Sequence, residues 1–114
     1  MNEDVSPFEL TEYGDGKKHR FGLLLVDLWP GGDAFFEKHG EYVNGHTWAK
    51  IIRALVDRDT PALASALHYD PESEMCVVRS DDRVALLAIA RLVRELRADQ
   101  HALDAAVESA KKHD

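Results

Sequence analysis

The sequence predicts an α+β fold in which a small antiparallel sheet of four strands is covered by helices. Three observations lead there. Two pairs of short alternating or apolar runs flank turn signals, as hairpins do. Between and after them lie stretches with apolar residues at helical spacing. The resulting order, β-β-α-α-α-β-β-α-α, groups strands in pairs instead of alternating them singly with helices, the pattern of α+β and not of a parallel α/β sheet. At 114 residues the chain is expected to form one domain with a real core.

Residues 1–6 are polar and read as a flexible lead-in. "FELTEY", Phe8 to Tyr13, alternates apolar and polar positions as a half-buried strand does, and "GDGKK" follows as a turn. "FGLLLVDLW", Phe21 to Trp29, is apolar on both strand faces, the signature of a central strand covered on both sides. These two strands are expected to pair as a hairpin. "PGG" stops the second, Asp33 can cap a short helix over "AFFEKHG", and Gly40 supplies its C-terminal glycine.

Trp48, Ile51, Ile52, Leu55 and Val56 fall at i, i+3, i+4, i+7 and i+8, an amphipathic helix whose wet face carries Lys50, Arg53 and Asp57. Asn44 or Thr47 can cap it, and Trp48 would anchor its start in the core. Thr60 and Pro61 then read as the N-cap and first position of a new short helix, which ends the previous one near Arg58. "LHYD" and "MCVVRS" flank "PESE" as two strands flank a turn. Ser80 to Asp82 cap a long helix to about Ala98, with Leu86, Ile89, Leu92, Val93 and Leu96 inward and Arg83, Arg91 and Arg94 outward. Asp99 caps a last helix with Leu103, Ala106, Val107 and Ala110 on one side.

Composition limits function. With 14 basic and 21 acidic residues the formal net charge is −7, which argues against nucleic acid as a partner, since affinity there rests on Lys and Arg displacing counterions. A basic protein is the favoured partner. Asp70 to Asp82 holds five carboxylates (Asp70, Glu72, Glu74, Asp81, Asp82) against Arg79, so the acidity is partly local. No apolar run is long enough for a membrane span, and the acidic N-terminus lacks the basic start and apolar core of a secretory signal. A cytoplasmic location is expected. The single Cys76 fits a reducing compartment and reads as a small buried apolar group.

No catalytic motif is visible. Asp70 to Arg79 has neither the glycine nor the length of an EF-hand loop, and carboxylates on a solvated turn do not acquire the separated pKa values of an acid–base pair. The six histidines, His19, His39, His46, His68, His101 and His113, lack the spacing of metal ligands. The serines lie outside a nucleophile elbow, and the glycines form no phosphate loop. No metal or cofactor is expected.

Two segments together, "NGHTWAKIIRAL" and "LHYDPESEMCVVRSDD", resemble the Immunity protein 51 family of bacterial polymorphic toxin systems, with Asn44, Gly45, Trp48, Asp70, Pro71 and Glu72 at its motif positions. "LLLVDLWPGGDAFFEKHG" is similar to the family's strand and short helix, so the likeness spans about Phe21 to Leu96. The resemblance implies a non-enzymatic, cytosolic antidote that binds a cognate toxin and occludes its active site. On that reading Asp70, Glu72, Glu74, Asp81 and Asp82 are the expected contacts to a basic toxin surface, with Tyr69 as an aromatic anchor. Two readings compete. One is a regulatory or scaffold domain that meets an acidic protein through Arg83, Arg91 and Arg94. The other is an enzyme with a site near Trp29, His46 and Trp48.

Overall fold

The structure is a computed structural model that describes residues 5–14, 19–26, 28, 40 and 44–111. Its elements are β1 (Glu9–Glu12), β2 (Phe21–Leu25), α1 (Gly45–Asp59), a 3₁₀ segment (Pro61–Ala66), β3 (His68–Pro71), β4 (Cys76–Ser80), α2 (Arg83–Arg97) and α3 (Gln100–Lys111). The four strands form one antiparallel sheet in the order β1-β2-β4-β3. Both expected hairpins are present, and the α+β class holds. The short helix expected over residues 34–40 lies outside the described residues, apart from Gly40.

The register explains which face is dry. Leu10 is opposite Leu23, Leu23 opposite Val78, and Val78 opposite Tyr69, so one face carries an apolar row across all four strands. Leu23, Leu25, Cys76 and Val78 on that face are completely buried, under Ile51 and Ile52 of α1 and Leu86 and Ile89 of α2. Helix α3 packs on α1 and α2 through Leu103, Ala106, Val107 and Ala110, adding a further layer.

The second face differs from the expectation for β2. The strand ends at Leu25, not Trp29, and Val26 is 52% exposed. The reason is the ladder: Leu25 pairs with Cys76, the first residue of β4, so Val26 has no opposite residue on that side. On this face Leu24 is half-buried, Val77 is buried, and Tyr13 lies over Gly22, where any side chain would collide with its ring.

The helix boundaries follow from their caps. Asn44 Oδ1 accepts from the Thr47 amide at 2.9 Å, which settles the cap of α1 in favour of Asn44. Asp82 Oδ1 accepts from the amides of Val84 and Ala85 and starts α2. Asp99 Oδ1 does the same for His101 and Ala102 of α3. The expected helix after Thr60 is a single 3₁₀ segment, and the Thr60 side chain makes no cap bond. Six residues rich in alanine, none of them buried, offer too little apolar contact to hold α-helical turns in place.

Candidate functional site

Each residue that sequence analysis marks on the acidic hairpin has a definite place. Pro71 ends β3, and the turn 72–75 is closed by the Glu72 amide donating to the Met75 carbonyl at 2.7 Å. Glu72 and Glu74 project from this turn, both exposed, and neither forms an ion pair with a described residue. Asp70 lies one step back on the outer face of the sheet. Its Oδ2 is 3.4 Å from an Arg79 guanidinium nitrogen, and Arg79 in turn sits over the Tyr13 ring at 4.6 Å. Asp70 is thus partly neutralised, in an exposed pair of small energetic weight.

Tyr69 points to the opposite face. Its ring lies beneath the Arg53 guanidinium at 4.6 Å and borders a shallow cavity with Val56, Asp57 and Ala64. Burial pushes its phenol up to about 12, against the opposing pull of Arg53. The ring is half-buried, with the Arg53 guanidinium over one of its faces.

Asp81 and Asp82 do not join the other three. They follow the last residue of β4, while Glu72 and Glu74 precede its first, so a five-residue strand of about 17 Å lies between them. Both also serve the fold. Asp81 Oδ1 accepts the Arg20 amide at 2.9 Å, and Asp82 caps α2. The acidity that looks continuous in sequence is split into two ends of one strand.

What sequence analysis missed is that the two motif segments touch. Gly45, the first residue of α1, lies against the turn 72–75 so closely that a Cβ there would meet the backbone carbonyl oxygens of Met75 and Glu72. Gly45 is buried, and only glycine fits. Asn44 caps the helix at this contact, and Trp48, fully buried one turn on, anchors it from below, with the Arg97 guanidinium 5.5 Å from its ring. The exposed turn is thereby seated on the positive end of α1. The signal available in sequence was the Asn-Gly pair, which reads equally well as an ordinary turn.

The competing sites fare differently. Trp48 is sealed in the core while His46 is exposed, so these two do not form a shared pocket, and Trp29 lies outside the described residues. Among the described residues no group of three His, Cys, Asp or Glu side chains is arranged to hold a metal ion. Cys76 is buried, and its thiol is pushed up to about 12 by that burial. Among the described residues no helix is long and apolar enough to cross a membrane.

Comparison with protein-family models matches residues 8–112 to the family described as Immunity protein 51. Comparisons with curated proteins and with solved structures find no match.

Proposed function

Because the chain belongs to the Immunity protein 51 family, we propose that it binds a cognate bacterial toxin inside the cell and neutralises it by occluding the toxin's active site. The observation that carries this reading beyond the family is the mounting of the acidic turn. Glu72 and Glu74 are exposed and free of ion pairs with described residues, on a four-residue turn seated by Gly45 and Asn44 on a buried helix start. A turn whose backbone is held this way loses little backbone entropy on binding a basic surface, and its two carboxylates have no ion pair with a described residue to give up.

The proposed contact surface is Glu72, Glu74 and Asp70, with Tyr69 on the opposite face of the same edge strand and outside it. Long-range attraction between this acidic end and a basic toxin cleft would speed encounter, and the close fit of the turn would block access to the cleft. Asp81 and Asp82, a strand length away, would contribute to the field and not to the contact. The chain acts as a binding protein, with no cofactor and no chemistry of its own.

The test is capture of partners from the native bacterium by the tagged chain at low and high salt, followed by stopped-flow association with the captured protein. A basic toxin domain that loses activity when bound is expected. The D70N/E72Q/E74Q variant should then associate at least ten-fold more slowly at low salt, with a flatter salt dependence. Capture of an acidic partner instead, with Arg83, Arg91 and Arg94 as its contacts, would replace this reading by the scaffold one.

A further inference from the structure

Two imidazoles from distant parts of the chain meet on the outer face of the sheet. The ring of His19, which precedes β2, and the ring of His68, the first residue of β3, are stacked with centroids 4.7 Å apart and planes 14° from parallel. β2 and β3 are not neighbours in the sheet, because β4 lies between them. The stack therefore reaches over β4 and joins the approach to a central strand with the start of an edge strand. Within the sheet β3 pairs with β4 alone, over the four residues His68 to Pro71, so a second tie at its first residue adds a constraint that the ladder does not supply.

The charges around the stack decide what it can tolerate. His68 is directly opposite Arg79 in the ladder, and Arg79 is engaged with Asp70 at 3.4 Å and with the Tyr13 ring at 4.6 Å. Beside His19, the Arg20 side chain pairs with Glu12 at 3.6 Å and the Arg20 amide donates to Asp81 at 2.9 Å. Asp70, Glu12 and Asp81 are thus each engaged already. Lys17 and Lys18 come just before His19 in sequence and carry the same sign of charge as a protonated imidazole. Histidine is the side chain whose charge changes between about pH 5 and 8. Two neutral rings stack as aromatic groups, and one charged ring over a neutral one is held by cation–π attraction. Two charged rings in this arrangement repel, and the Arg79 cation opposite His68 adds to the repulsion.

We propose that the His19–His68 stack is a proton-operated clasp, closed while at most one ring is charged and opened when both are, and that its opening loosens the start of β3. Acid then frees one end of the strand whose other end leads into the turn that carries Glu72 and Glu74. The clasp depends on the sheet and its charges alone and goes beyond the proposed function, holding whether or not a toxin is the partner.

The test is NMR on the full chain at pH 7.5 and at pH 5. Cross-relaxation between the ring protons of His19 and His68 is expected at pH 7.5 and should fall at least five-fold at pH 5. Hydrogen exchange of the His68 and Asp70 amides, corrected for its intrinsic pH dependence, should speed up at least three-fold relative to Leu23 and Leu25 of β2 over the same change. His68 is exposed, so His68→Phe leaves the core untouched and keeps a ring that takes no proton; its contact with His19 and its β3 exchange should be the same at both pH values. Ring contact that survives at pH 5 in the parent would overturn the proposal, as would equal loss of contact in H68F or β3 exchange that does not respond. Absence of ring contact at pH 7.5 would overturn the stack itself. No partner is present in any of these measurements, so their failure leaves the toxin-binding reading standing, and failure to capture a toxin leaves the clasp.

Discussion

Gly45→Ala tests the contact on which the candidate site is built, and its sign alone is decisive. In a helix start that faces solvent, alanine in place of glycine stabilises, by up to about 1 kcal/mol, through helix propensity. Here the new Cβ would lie 2.6 Å from the Met75 carbonyl carbon and closer still to two carbonyl oxygens. These are backbone atoms held by the Glu72–Met75 bond and by the β3–β4 ladder, so no side-chain rotation relieves the clash. The start of α1 and the turn must separate. Overpacking of this kind costs about 1–3 kcal/mol, and rigid backbone on both sides places the cost near about 3 kcal/mol. Setting the propensity gain against it leaves a net loss of about 2 kcal/mol, or a Tm lower by roughly 8 °C for a chain of this size. Urea denaturation followed by the fluorescence of buried Trp48 measures it, the midpoint falling at an unchanged slope. A G45A protein as stable as the parent, or more so, would refute the close approach and with it the account of how the turn is seated.

Removal of the cap in N44A should cost about 1 kcal/mol by the same urea assay, and D82A about the same, while D82N, which keeps a capping oxygen, should cost much less. The buried Cys76 thiol, pushed up to about 12, stays protonated near neutrality, so a thiolate-selective reagent at pH 8 should modify it only after denaturant is added. The folded-state values of Tyr69 and Cys76 are both raised above their unfolded ones of 10.0 and 9.0. The unfolded chain then releases protons first as pH rises, so stability that is complete below about pH 9 should decline steadily toward pH 12. Thermal melts from pH 8 to 11 check this decline, and in Y69F, where only the thiol remains, it should be shallower.

The helices, the hairpins and the capping residues were legible because each leaves a local trace: Ile51, Ile52, Leu55 and Val56 recur at helical spacing, and Asp82 and Asp99 stand just before such stripes. The strand order β1-β2-β4-β3 left none, because it depends on which edges the helices cover. The extent of β2 was overread for a related reason. Val26 is as apolar as the residues before it, but a strand lasts only as long as its neighbours, and β4 starts opposite Leu25. Glu72, Glu74, Asp81 and Asp82 are neighbours in sequence, yet an extended strand separates whatever it joins, and the spacing of charges along a chain does not say that they share a surface.

The contact between Gly45 and the turn also accounts for a gap in α1. Its first turn contains no Asp or Glu, although acidic residues there would complement the positive helix end. The complement comes instead from distant residues: the carbonyls of Glu72 and Met75 abut the helix start, and the carboxylates of Glu72 and Glu74 belong to the same turn. Seating depends on the carbonyls, which every residue type supplies, while the outward charge depends on the side chains. Stability and the proposed recognition would therefore be carried by different atoms of the same four residues. A change that neutralises Glu72 and Glu74 leaves the backbone seat intact and removes only the charge, whereas a change at Gly45 keeps the charge and displaces the surface that presents it. If the turn is the binding surface proposed above, that separation would let its side chains change without loss of the fold that holds them.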